Sequence, residues 1–194
     1  MIKKLFTRLL LLLVLSEMLL VLISWLLSAT QTDGVRSLLS SEGIRWGLGQ
    51  FSSMMLKPQL IWLLLIAMAG GCMWHSCIFR PSHVSFRRQF ALRLAVSVFV
   101  FQIFIVVLLI AIPQAVLLSA TGTLWPSPFS RALVPLAAFI IINTSVCYGF
   151  LSQTFASMSD VFDSLKWGLT KSASLLLLYF LVVLIYESYR YVFT

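Results

Sequence analysis

The sequence predicts an all-α integral membrane protein with about five transmembrane helices and two short interfacial amphipathic helices. Three observations carry this. Of 194 residues, 60% are hydrophobic and only 10% charged, too few charges to cover a water-facing surface. The apolar residues fall in blocks long enough to cross a hydrocarbon core about 30 Å thick. They also do not alternate with polar residues, as the strands of a membrane barrel must.

The net charge of +8 has a topological explanation. Lys3, Lys4 and Arg8 open the chain, and Arg80, Arg87, Arg88 and Arg93 share one acid-free stretch. That is the distribution of the positive-inside rule, not a basic stripe with interleaved aromatics, so no nucleic-acid partner is expected. The three cysteines, Cys72, Cys77 and Cys147, lie in or beside apolar blocks. An odd count there reads as buried thiols, not as a disulfide framework.

The elements follow in order. Residues 9–27 form the first span. The basic start resembles a signal peptide, but the apolar run is too long and lacks a small-residue cleavage site, so an uncleaved helix is expected. Glu17 lies inside it. A carboxylate at that depth is costly and points either to ion coupling or to packing against a neighbouring helix or subunit. Residues 41–56 are the first interfacial helix, with Ser41 as the expected N-cap and Ile44, Leu48, Phe51 and Met55 at helical spacing.

Residues 60–79 make the second span, entered from Pro58. Ala67, Met68, Ala69, Gly70 and Gly71 give it a small-residue surface that lets another helix approach. Cys72, His75, Cys77 and His83 match no common zinc spacing, so neither a metal nor any other cofactor is expected. The arginines from Arg80 to Arg93 place their loop on the cytoplasmic side, where they also suit anionic lipid. The third span, 94–118, contains Gln102 and a Pro113-Gln114 break that kinks it. After a loop carrying Trp125, the fourth span covers 132–151. Its Asn143-Thr144-Ser145 triplet matches a glycosylation acceptor, but inside a span it cannot be modified. The second interfacial helix is expected at 153–169 and the fifth span at 172–189, with Tyr186, Tyr189 and Tyr191 as its aromatic belt. Five spans from a cytoplasmic start leave the C-terminus outside.

Two segments carry a family resemblance. Within residues 35–78 the run Glu42-Gly43-Ile44-Arg45-Trp46 precedes a proline and a span rich in small residues. Within residues 87–191 stand Gly122-Thr123-Leu124-Trp125-Pro126-Ser127-Pro128-Phe129, then Val134-Pro135-Leu136, then Tyr148-Gly149 ahead of Asp160-Val161. These are similar to blocks of the p-aminobenzoyl-glutamate transporter (AbgT) family of bacterial inner-membrane secondary transporters. The resemblance implies a helical transporter fold with two re-entrant hairpins around a midplane site. The chain departs from it where those hairpins would lie. It skips from Ile78 to Arg87 and ends before the second hairpin block. Trp74 stands at the position of a family acid, and Cys77 at that of a glycine. No family site residue therefore carries over.

The residues themselves do not supply the paired interrupted helices that a transport site requires. The expected function is a non-catalytic accessory or structural membrane subunit derived from a secondary transporter. It would dock through Gly70, Gly71, Glu17 and Asn143 on a membrane-protein partner or a second copy, with lipids as its other partners. The alternative is a small oligomeric transporter, with Glu17, Gln102, Gln114, Asn143 and Thr144 around one cavity; a small-molecule substrate stays open on this point. An enzyme is not expected, since no nucleophile, base and acid fall together.

Overall fold

The computed structural model describes residues 2–32, 34–78, 86–111 and 128–194. Arg80, His83, the Pro113-Gln114 break and the Trp125 loop lie outside the described residues. Among the described residues six helices follow one another: α1 (Ile2–Ala29), α2 (Ser41–Met55), α3 (Pro58–His75), α4 (Phe86–Ala111), α5 (Pro128–Leu151) and α6 (Met158–Phe193). All except α2 are long and apolar enough to cross a membrane. The protein is thus an all-α membrane protein with five candidate spans, and no strand occurs among the described residues.

Local chemistry sets the helix ends. Ser40, one residue before the expected cap, accepts the Gly43 N–H at 3.0 Å and starts α2. Proline opens both α3 and α5, where its missing N–H costs nothing. The Asp160 carboxylate caps the start of α6, accepting the N–H groups of Ala156 and Ser157 at 2.7 and 3.0 Å. Gln31, Cys77 and Gln153 follow the C-terminal ends of α1, α3 and α5 with φ near +60° (56°, 56° and 60°), the left-handed turn that closes a helix.

Residues 158–169 of the expected second interfacial helix and the span at 172–189 belong to one unbroken helix, α6, of 36 residues, whereas 153–157 form the turn before it. At about 1.5 Å per residue it is about 54 Å long, well beyond a hydrocarbon core. Its first part carries Asp160, Asp163, Lys166 and Lys171 and is suited to water or headgroups. The polar-to-apolar change falls inside one continuous helical phase, which runs through Gly168 without a break and contains no proline.

The chain divides into two compact units. The first comprises Met1–Ile61 and Ala173–Thr194. Here the Arg36 N–H donates to the Val192 carbonyl at 3.0 Å, and the Leu38 N–H to Ser24 Oγ at 3.2 Å. Trp46 of α2 stacks on Tyr191 of α6 with ring centroids 4.3 Å apart. Met54 and Met55 are buried, whereas Ile44, Leu48 and Phe51 form an exposed apolar face on α2. Such a face suits lipid.

The second unit is Trp62–Ser172. Its core is small: Ala91 and Ala95 of α4 bury the ring of Tyr148 of α5, with Ile78 and Leu151 packed around them. Elsewhere α4 is largely outward-facing, with Phe99, Val100, Phe101 and Phe104 all exposed. Large apolar side chains pointing outward are what a bilayer-embedded helix presents.

Candidate functional site

Hydrocarbon supplies no water, so polar groups inside the spans must find partners in protein. They are therefore the candidate functional positions. In the first unit, Glu17 of α1 meets Ser188 of α6, whose hydroxyl donates to Glu17 Oε1 at 2.7 Å. Glu17 Oε2 is buried without a hydrogen-bond partner. One residue before Ser188, Glu187 pairs with Lys57, the residue just ahead of α3. The Lys57 ammonium also lies 5.4 Å from the Tyr186 ring centroid. At the end of α6, Arg36 stands over Tyr191, 6.0 Å from its centroid. Glu17, Lys57 and Arg36 thus hold three separate parts of α6, residues 188, 186–187 and 191–192.

In the second unit, Arg88 is bound on two sides. It donates to the Tyr148 hydroxyl at 2.8 Å and to the Cys77 carbonyl at 2.7 Å, tying the turn after α3 to α4 and α5. Arg87 donates to the Leu151 carbonyl at 3.3 Å, while Arg93 is exposed. Of the arginine cluster, Arg88 therefore works inside the fold, and Arg87 and Arg93 remain at its surface.

Gly70 and Gly71 part company. A Cβ on Gly70 would touch nothing within 4 Å, and the residue is exposed. A Cβ on Gly71 would stand 2.7 Å from the backbone nitrogen of Gly168 in α6, and one on Gly168 would stand 3.0 Å from the Gly71 Cα. Gly71 and Gly168, with Ala67 and Ser164 beside them, bring α3 and α6 into backbone contact within this unit. Near that crossing Trp74 and His75 both pack on Trp167, with centroids 6.2 and 5.0 Å away.

Among the described residues, none of the remaining polar positions lines either of the two clefts seen beside α5. Both amide atoms of Gln102 and the Thr144 hydroxyl are buried without hydrogen-bond partners, whereas Asn143 is exposed. Two clefts flank α5. One is lined by Phe99, Ile103 and Val106 of α4 with Leu136 and Ile140 among the α5 residues; the other is lined by Leu65, Pro135 and Phe139 among others. All lining residues are apolar. Gln114 lies outside the described residues. No three His, Cys, Asp or Glu side chains among the described residues converge as a metal set would.

Sequence reasoning did not find the partners. Ser188, Tyr148, Ser164 and Gly168 each complete a contact that one singled-out residue begins, and the Lys57–Glu187 pair stands beside them. The adjacent Glu187-Ser188 pair, polar at the end of an apolar helix, was a usable signal. Tyr148 stands in the sequence only as part of the Tyr148-Gly149 run that carries the resemblance, and nothing there points to Arg88 as its partner.

A profile of the AbgT putative transporter family matches residues 77–189, more than half of the chain. The matched stretch begins at the Cys77 turn and takes in α4, α5 and most of α6. It includes the Pro126-Ser127-Pro128-Phe129 and Val134-Pro135-Leu136 runs, whereas most of the similar segment at 35–78 lies before it. No curated protein and no solved structure matches the chain. The family is one of transporters and not of enzymes. With five candidate spans and this match, the chain is a multi-pass membrane protein that belongs to the AbgT putative transporter family.

Proposed function

We propose that this AbgT-family chain is a non-catalytic accessory or structural subunit that docks on other membrane helices of the bacterial inner membrane. The observation that carries the reading is the disposition of its polar groups. Glu17 bonds to Ser188 within the first unit, and the clefts beside α5 in the second offer only apolar lining. A secondary transporter binds its cargo where broken helices gather carbonyls and polar side chains. The link from α3 to α4, residues 76–85, is also too short for a helical re-entrant hairpin. In this reading the N-terminus and the arginine-bearing end of α4 face the cytoplasm and the C-terminus faces out. Arg87 and Arg93 meet anionic headgroups there.

One observation favours the second reading, a small oligomeric transporter of the aminobenzoyl-glutamate or antimetabolite-efflux type. Gln102 and Thr144 keep buried polar atoms unpaired, which a permeating solute would satisfy. Purification of the tagged chain from its native membrane in mild detergent, followed by mass spectrometry, tests the choice. The accessory reading expects a stoichiometric membrane complex that withstands a salt wash. Recovery of the chain with no other membrane protein would count against it.

A further inference from the structure

We propose that the crossing of α3 and α6 carries a binding site for an anionic phospholipid, with Lys171 on the phosphate and Gly70 under an acyl chain. The site needs neither a protein partner nor a transported solute, so it stands apart from the docking reading above.

The two helices bring a lysine and three aromatic side chains to one point. Contact between the Gly71 and Gly168 backbones fixes α3 against α6 in the second unit. Trp167, one residue before Gly168, is the centre of the cluster. Trp74 lies nearly parallel to it, with ring centroids 6.2 Å apart and planes 13° apart. His75 meets it edge-on at 5.0 Å, and the Lys171 ammonium lies 5.5 Å from its centroid. A hydrophobic core does not explain this gathering, because Trp74 is 63% exposed and His75 and Lys171 are exposed as well. No hydrogen bond or ion pair reaches the Lys171 ammonium among the described residues.

The depth of the cluster names the ligand. α3 is a candidate span that ends at His75. On α6, Lys171 is the last charged residue before the uncharged run 172–186. Both helices therefore reach the edge of the hydrocarbon beside Trp167, where indole rings settle and lysines extend towards headgroups. The anion within reach at that level is a lipid phosphate, and the ring N–H groups of Trp74 and His75 can donate to its oxygens or to the ester groups. The lysine already beside the Trp167 ring repels the choline or ethanolamine cation of a zwitterionic headgroup, so a net anionic lipid is selected.

The neighbouring surface takes the tail. Ile66, Gly70 and Trp74 follow at a spacing of four residues along one exposed face of α3. A Cβ on Gly70 would meet nothing within 4 Å, so this position is an open notch between two projecting side chains. Such a notch, next to an interfacial cation, suits a single methylene chain. Gly70 thereby gains a role that the helix crossing does not give it, since of the two adjacent glycines Gly71 is the one that faces the Gly168 backbone.

Photo-crosslinking in vesicles tests the site. The purified full chain is reconstituted in phosphatidylcholine with a rising fraction of phosphatidylglycerol that carries a diazirine on its acyl chain, and labelled peptides are located by mass spectrometry. Saturable labelling of the peptides that hold Gly70 and Trp167 is expected. Lys171→Gln raises the half-saturating fraction about fivefold, and Lys171→Arg stays within about twofold of wild type. Gly70→Leu, which fills the notch and leaves the crossing intact, lowers labelling of the α3 peptide. Diazirine phosphatidylcholine that labels the same peptides equally well overturns the inference, and this comparison on the wild-type chain holds even if the glutamine variant fails to fold. A Lys171→Gln curve equal to wild type overturns it too. So does loss of labelling on adding soluble glycerol phosphate, which would make the ligand a free phosphate and not a lipid.

Discussion

Cys77 shows how one residue links backbone, packing and family history. Its φ of +56° lies in the left-handed region, which costs a non-glycine residue roughly 1–2 kcal/mol. The carbonyl of this residue accepts a hydrogen bond from Arg88, and a bond from a charged donor helps to hold the turn in place. The family resemblance puts a glycine at this position, the residue the turn prefers. Cys77→Gly should therefore stabilise the detergent-solubilised protein by about 1 kcal/mol, seen as a rise of a few degrees in thermal midpoint. A drop in the midpoint would show that the thiol packs too well for the backbone gain to matter. Before the structure, Cys77 was legible as one of three thiols in apolar surroundings and as the residue that stands where the resemblance puts a glycine. The residue type alone does not mark a positive φ, because the constraint comes from the chain reversal and from Arg88, eleven residues later.

At the scale of elements, the apolar blocks were readable because a bilayer imposes length and hydropathy on every span. That constraint acts on single segments and needs no knowledge of neighbours. Helix pairing depends on neighbours, and it stayed hidden for the same reason. Gly70 and Gly71 look alike in sequence, yet only Gly71 faces the Gly168 backbone. The adjacent pair allows a sharp comparison. Gly71→Ala should cost about 1–3 kcal/mol by forcing α3 from α6, whereas Gly70→Ala should change stability by less than about 0.5 kcal/mol. Thermal unfolding of the two variants side by side checks this, and equal effects would mean that α3 and α6 do not cross at Gly71. The second interfacial helix and the last span were likewise drawn as two elements because their compositions differ. Composition reports the surroundings of a helix, and α6 crosses from one environment to another without ending.

For the whole molecule, the two units divide the polar chemistry between them. Glu17, Ser188, Lys57 and Glu187 fasten the ends of the chain together in the first unit. Arg88, Tyr148 and the glycine crossing fasten the second. Membership of a transporter family was legible in the Pro-Ser-Pro-Phe and Val-Pro-Leu runs, both of which lie in the matched stretch. The proposed loss of transport rests in the sequence on a deficit, a short stretch between Ile78 and Arg87 where the resemblance leads one to expect much more. A docking role leaves less of a mark, since it would use the same apolar faces that lipid covers.

The central claim is that a transporter's architecture here serves association and does not move solute. Reconstituting the purified chain in liposomes and following uptake of radiolabelled p-aminobenzoyl-glutamate, with an imposed proton or sodium gradient, tests it most directly. The claim predicts uptake indistinguishable from protein-free vesicles under either gradient. Saturable uptake that collapses when the gradient is dissipated, and that falls with Gln102→Leu, would contradict it and make the chain a transporter.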